Sequence, residues 1–328
     1  MLLEIKCFRW PHRAAENLPR GLTNPQFVDT TTSTSAFAAI ASSISDALGI
    51  TVRPLPTAHT HGGCINESYR WDGSSGPLFV KIAGVERLAM LEAEAAGLQE
   101  LAAANAVRIP RFLATSAVAD HAYLVLEWID LGHSSPAAAG RLGEQLARQH
   151  GVSATQFGWH RDNTIGSTPQ SNAWTSDWPK FFGERRLGFQ LELARANGHD
   201  GRLQQRGMRL LADVPKFFAS HRVMPSLLHG DLWGGNWGVD ASGAPVLFDP
   251  AVYFGDREAD IAMTRLFGGF GAEFHAAYAA HWPLDAGAAV RVDLYNLYHV
   301  LNHLNLFGAG YLRQAESMID HLLAALGH

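Results

Sequence analysis

The sequence predicts an α+β protein in two lobes, a small β-rich lobe followed by a larger helical one. Three observations predict it. Between residues 65 and 129, four runs rich in β-branched and aromatic residues, INESYRW, PLFVKIA, RFLATSAV and HAYLVLEWI, are separated by short polar or Gly/Ser breaks. Beyond about residue 130 the apolar positions recur at helical spacing over long stretches. With 328 residues, 47% hydrophobic and 17% charged, the chain is long and apolar enough for a sizeable core.

Taken in order, residues 1–35 end in TTTSTS, show no period and read as a poorly ordered tail; a transit peptide fits less well because the stretch carries acidic residues. The run AFAAIASSISDAL, Ala36 to Leu48, is an amphipathic helix with Ser35 as its cap. A turn-rich segment, HTHGGC, leads into INESYRW. That run and PLFVKIA are joined by DGSSG and form a hairpin. Glu86 to Ala104 are strong helix formers, with Pro110 beyond their end. Two further strands break at Ala119 and Asp120, and the first lobe, 36–130, closes there. In the second, 131–328, Pro136 to His150 is helical, FGWHRDNTIGSTPQSNAW is irregular, and helices cover about 176–196 and 202–220. HGDLWGGNWG and the short strand PVLFD interrupt the pattern, which is helical again from Arg257. No internal repeat occurs.

Several function classes are excluded. A net charge of −5 with no basic run gives nucleic acid no electrostatic footing. Two distant cysteines, Cys7 and Cys64, make no disulfide framework and suit a reducing, cytoplasmic setting. No uninterrupted apolar run is long enough to span a membrane. There is no H-E-x-x-H or cysteine pair for zinc, and no G-x-S-x-G for a serine hydrolase.

What the chain does contain fits phosphoryl transfer, which needs a phosphate cradle, divalent cations and a carboxylate at the attacking hydroxyl. Gly62 and Gly63 lie between strand-like segments, where main-chain N–H groups can approach phosphate oxygens. Lys81 sits inside the apolar LFVKIA and reads as the lysine that reaches the α/β-phosphates, partnered by Glu94 on the next helix or, failing that, Glu92. The inter-lobe linker LVLEWID offers Glu127 and Trp128 to an adenine edge. In HGDLWGGN, Asp231 and Asn236 are five residues apart, the spacing of base and metal ligand in the protein-kinase catalytic loop. Asp231 would accept the acceptor hydroxyl's proton and Asn236 would hold Mg²⁺. Asp249, 13 residues later at the end of VLFD, is the second oxygen ligand.

HGDLWGGN followed by FDPAVYFGDREADIAMTRLFGGF resembles the fructosamine-3-kinase (ketosamine-3-kinase) family, as do GGCINESYRW, LFVKIA, Glu94 to Leu101, FGWHRDNTIGSTPQSNAWTSDWPKFFGERRL and LYHVLNHLNLFGAGY. The likeness covers about residues 36–326. It implies a two-lobed protein-kinase-like fold of the aminoglycoside-phosphotransferase type, ATP and Mg²⁺ as cofactors, and phosphorylation at O3 of a ketosamine on a small or protein-bound amine. The 3-phosphate of such adducts is unstable and the sugar is shed, so the implied outcome is deglycation. By motif position, Asp231 is the base, Asn236 and Asp249 hold metal, and Lys81 with Glu94 positions phosphate. Asp256 and Glu258 match acidic positions whose expected task is structural. Trp233 is expected to line the acceptor pocket, and Cys64, in the phosphate-covering turn, would be redox-sensitive if exposed and acidic. A monomer is favoured, with no membrane or nucleic-acid partner. Two other readings stand beside this one: a kinase of the same fold acting on an aminoglycoside, choline or homoserine hydroxyl, and a catalytically silent nucleotide-binding protein. FGGF and NHLNLFG argue against the first. The presence of Lys81, Asp231, Asn236 and Asp249 argues against the second.

Overall fold

The computed structural model describes residues 32–60 and 67–328. Most of the expected tail, and Gly62, Gly63 and Cys64, lie outside the described residues. The chain forms two compact units, one of residues 32–91 with 113–128, the other of 92–112 with 129–328.

The first unit opens with helix α1 (Thr34–Leu48). Its cap is Ser33, not Ser35: the Ser33 hydroxyl accepts the Ala36 N–H, while the Ser35 hydroxyl bonds only to that of Ser33. The chain thus turns helical before the first apolar residue of the periodic run, which the pattern alone cannot show. Gly49, at φ 64, ends the helix. The sheet comprises β1 (Ala58–Thr60), β2 (Glu67–Gly73), β3 (Gly76–Gly84), β4 (Phe112–Val118) and β5 (His121–Glu127), in the order β1-β2-β3-β5-β4. The β2–β3 hairpin pairs Gly73 with Gly76 and runs in register to Glu67 opposite Ile82. Leu78, Val80 and Ile82 alternate into a core with Ile40, Ile44, Trp71, Tyr123 and Val125. Trp71 is fully buried, and its indole N–H donates to the Arg53 carbonyl at 2.6 Å. Lys81, out of phase with Val80 and Ile82, belongs to the opposite face of β3.

A 3₁₀ turn, Val85–Arg87, occupies the start of the expected second helix, so α2 is Leu88–Ala103. Its residues from Glu92 onward belong to the second unit. There, α3 (Pro136–His150) begins as its sequence dictates, with Ser135 as cap and Pro136 at the first position. The segment read as irregular contains a hairpin, β6 (Asn163–Ile165) with β7 (Thr168–Gln170), turning at Gly166, φ 62. Three-residue strands are too short for alternation to register. Helices α4 (Trp178–Phe182) and α5 (Phe189–Ala196) are joined by a π-helical turn, Gly183–Gly188. Then come α6 (Arg202–Asp213) and two strand pairs, β8 (Ser226–Leu228) with β11 (Tyr253–Gly255) and β9 (Trp237–Val239) with β10 (Pro245–Leu247). The chain closes with α7 (Glu258–Leu266), α8 (Ala272–His281), α9 (Ala288–Phe307) and α10 (Leu312–Ala325). No described helix is long and apolar enough to cross a membrane.

Candidate active site

The site grows out of β8. Its three residues are fully apolar-facing or buried, and they deliver the chain into the loop His229–Asn236. Gly230 follows at φ 83, and a Cβ there would lie 2.0 Å from the Ala251 carbonyl oxygen. Both conformation and space therefore require glycine. His229 is fully buried; its Nε2 bonds the Phe248 carbonyl at 3.0 Å, and its Nδ1 accepts the Asp231 N–H at 3.3 Å. With Nε2 as donor and Nδ1 as acceptor the ring is neutral, and burial pushes its pKa below the usual value.

The loop is clamped from α7. The Asp260 carboxylate accepts the His229 N–H at 2.7 Å and the Gly230 N–H at 2.9 Å, and His150 Nε2 lies 3.1 Å away. Burial alone would raise Asp260; its bond to His150, the neighbouring imidazole rings and the Gly230 N–H carry it below the usual carboxylate range. Hydrogen bonds of this charged kind contribute about 1.5–3 kcal/mol each.

The β9–β10 hairpin, Trp237–Leu247, occupies most of the stretch between Asn236 and Asp249. Its turn is closed by Asp240, which accepts the Ser242 and Ala244 N–H groups at 2.8 and 2.9 Å and pairs with Arg108. Beyond the pair Trp237–Leu247, the Phe248 N–H donates to the Asn236 carbonyl at 3.1 Å. Asn236 and Asp249 are thus brought together at the open end of the hairpin. Asn236 Nδ2 donates to the Asp231 carbonyl (2.9 Å), to Asp231 Oδ2 (3.1 Å) and to the Asp249 carbonyl (3.3 Å). Asp249 itself has φ 57, a left-handed backbone rare outside glycine. Such a residue stores about 1–3 kcal/mol of strain, and this clusters at functional sites.

Burial, and after it the crowding of carboxylates, sets the electrostatics. Asp231 is pushed up to about 7, first by burial, then by the charge of Asp249, against the opposing hydrogen bond from Asn236. Around it the loop is built on glycine. The Trp233 ring, 36% exposed, lies over Gly235, where a Cβ would sit 2.2 Å from it. A Cβ on Gly234 would come 3.0 Å from the Gly269 Cα, so two stretches of bare main chain abut.

Asp231, Asn236, Asp249 and Trp233 thus share one loop and hairpin of the second unit. In the first unit, Lys81 is 5% exposed on β3, opposite Leu124. Glu127 ends β5 opposite Leu78, and the Trp128 ring packs 6.4 Å from Phe79 beneath the Arg70 guanidinium. Glu94 is half-buried on α2, within the second unit. Asp256 accepts the Glu258 N–H at the start of α7, and Glu258 pairs twice with Arg291, at 2.7 and 2.9 Å, so both have structural work. Sequence reasoning missed Asp260, whose only signal was a third acid in GDREADIAM. It also missed Asn163 and Gln170, which lay in a stretch without a readable period, and Arg186, which lay in a stretch read only as helix.

The family model for fructosamine kinase matches residues 36–325. The chain belongs to the fructosamine kinase family. It is 43% identical over 285 residues to a probable ketoamine kinase of Synechocystis, covering 87% of this chain and 96% of that one. It is 44% identical over 268 residues to the chloroplastic protein-ribulosamine 3-kinase of Arabidopsis thaliana, covering 81% and 82%. A crystal structure of a candidate fructosamine-3-kinase from Haemophilus somnus superposes with a TM-score of 0.79 at 27% identity, covering 87% and 97%. The α+β, protein-kinase-like fold expected from sequence is the fold of this fructosamine kinase family member.

Proposed function

We propose that the chain is an ATP-dependent ketosamine 3-kinase, transferring phosphoryl to O3 of a sugar adduct on an amine and so leading to deglycation. The observation that carries the reading is the single hydrogen-bonded unit of Asp231, Asn236 and Asp249 in a chain of this family. Asp231 Oδ2 is oriented by Asn236 Nδ2 and takes or directs the proton of the O3 hydroxyl. An apparent pKa drawn up toward 7 suits a group that must accept a proton near neutrality. The buried neutral His229 fixes the loop and takes no proton.

The residues fit a hard divalent cation. All three hydrogen bonds of the Asn236 amide use Nδ2, one of them to the Asp249 carbonyl, which leaves Asn236 Oδ1 and the Asp249 carboxylate to be proposed as the oxygen donors. These two would hold Mg²⁺, which supplies charge neutralisation at the transferring phosphoryl group. The positive charge would also offset the influence of Asp249 on Asp231. Lys81 is proposed for the α/β-phosphates with Glu94 in support, Glu127 and Trp128 for the adenine edge, and Trp233 for the sugar. A cytoplasmic monomer is part of the proposal, in keeping with a demand for ATP.

The test is an acceptor profile by coupled ADP release. Ribulosamines or fructosamines should be phosphorylated and then shed their sugar. Turnover of aminoglycosides or choline without turnover of any ketosamine would overturn the reading.

A further inference from the structure

Behind the metal-ligand hairpin lies a buried lattice of neutral amides that the reaction itself does not use. Asn163 Nδ2 donates to the Val252 carbonyl at 2.8 Å, and Gln170 Nε2 donates to the Ala251 carbonyl at 3.3 Å. These carbonyls belong to the residues two and three places after Asp249. Asn163 Oδ1 accepts from both Gln170 Nε2 (2.8 Å) and Asn172 Nδ2 (2.9 Å), and the Tyr298 hydroxyl donates to Gln170 Oε1 at 2.8 Å. Arg186 completes the lattice, donating to Asn172 Oδ1 at 2.7 Å and to the Ser171 carbonyl at 2.8 Å.

Arg186 is unusual in its own right. It is fully buried, and among the described residues it has no carboxylate partner. Its guanidinium instead lies 4.3 Å from the Tyr253 ring centroid and 4.6 Å from that of Phe181. An unpaired buried charge is costly. It is carried here on a π-helical turn, a distortion of the α4–α5 helix that often marks function. The Ala251 N–H donates to the His229 carbonyl at 2.9 Å, and the Ala251 oxygen fills the space a side chain on Gly230 would need. The segment held by the lattice therefore follows the left-handed Asp249 closely and is hydrogen-bonded to the base loop at His229.

We propose that Asn163, Gln170 and Arg186 are positioning residues for the cation: the hairpin amides fix the Ala251 and Val252 carbonyls, and with them the strained backbone of Asp249, while Arg186 fixes the hairpin. The proposal rests on the reading of Asp249 as a metal ligand given above. Outer-shell partners of this kind change metal affinity by about 10–100-fold when altered.

The test uses the full-length enzyme and Mn²⁺ as probe, with binding to the protein–ATP complex followed by electron paramagnetic resonance. Asn163→Asp and Gln170→Glu keep the acceptor oxygens and place a carboxylate oxygen against a carbonyl where a donor stood. Each should weaken Mn²⁺ binding about tenfold or more and raise the Mg²⁺ concentration for half-maximal rate in step, with little change in KM for ATP at saturating metal. Tyr298→Phe removes only the hydroxyl bond to Gln170, and should give a smaller shift in the same direction should the amide variants fail to fold. Arg186→Lys, which keeps charge and loses the fork, should behave as the amide variants do. Asp249→Asn separates the two levels of the argument. If it leaves Mn²⁺ affinity intact, the ligand reading fails and takes this proposal with it. If it weakens Mn²⁺ binding while Asn163→Asp, Gln170→Glu and Tyr298→Phe lower only the melting temperature, the lattice is structural and the positioning role is wrong.

Discussion

The loop His229–Asn236 carries a half-buried aspartate and the first turns of α7 a fully buried one, and their surroundings push the two in opposite directions. Asp260 accepts two main-chain N–H groups and sits beside His150, so its charge is met from three sides. Asp231 has one amide donor and faces Asp249, and it is held up near 7. The difference teaches how surroundings suit one carboxylate to be a clamp and another to be the proposed base. Saturating a carboxylate's lone pairs with donors makes it inert, and leaving them under-satisfied beside another acid keeps it able to take a proton.

The largest effect that sharpens this contrast is expected from Asp231→Asn. Ketosamine phosphorylation should fall by about 10²–10⁴-fold, the range for a lost general base, while ATP still binds. Near-wild-type turnover would remove the base assignment. The same variant has an opposite effect on stability. The folded value of Asp231, about 7, lies above its ordinary 3.8, so the folded state holds the extra proton between roughly those values and loses stability as pH rises through them. The asparagine protein should lose less stability than wild type between pH 5 and pH 8 in urea melts without nucleotide or metal.

Asp260→Ala should act on the fold first. Removing one member of a buried, fully bonded set costs about 3–5 kcal/mol, read as a lower urea midpoint, and activity should fall with the loop. Because the folded value of Asp260 is depressed, its contribution is complete at neutral pH and lost as pH falls through that value. Wild type and Asp260→Ala should therefore converge in stability in acid; a gap unchanged at pH 3 would count against the clamp.

Gly230→Ala tests the space between the regions. A methyl pressed against the Ala251 carbonyl must displace Asp231, the proposed base, and a shift of about 1 Å costs about 10²-fold in rate. Full activity would mean the loop relaxes freely. The smallest effect is expected at Trp233→Ala: KM for the ketosamine should rise about tenfold, or about 1.4 kcal/mol, with KM for ATP unchanged. An unchanged acceptor KM would leave Trp233 as packing over Gly235.

Much of this was legible in the chain. The β2–β3 hairpin announced itself through two long β-rich runs around DGSSG, and α3 through Ser135, Pro136 and the helical pattern that runs on to His150. Asp231, Asn236 and Asp249 were legible through spacing, because a fixed loop followed by a hairpin has a fixed length. What could not be read depends on contacts between distant residues. Asp260 is defined by main-chain N–H groups some thirty places away. Asn163 and Gln170 act through the Val252 and Ala251 carbonyls, far along the chain, from three-residue strands that leave no period, and Arg186 reaches back from a π turn to Ser171 and Asn172. The Ser33 cap was missed for a local reason, since TSTS offers several equivalent hydroxyls and the choice is made by which register buries Ile40 and Ile44.

The bare contact between Gly234 and Gly269 has a consequence for how this site can change. Each residue occupies the room the other's side chain would need, although 35 positions separate them. An alanine at either should open the same gap between the base loop and the FGGF segment, so the two lesions should not add: the double variant should be little worse than the more harmful single one. A side chain at one of these positions therefore removes part of the reason for glycine at the other, although Gly269, at φ 92, keeps a backbone reason of its own.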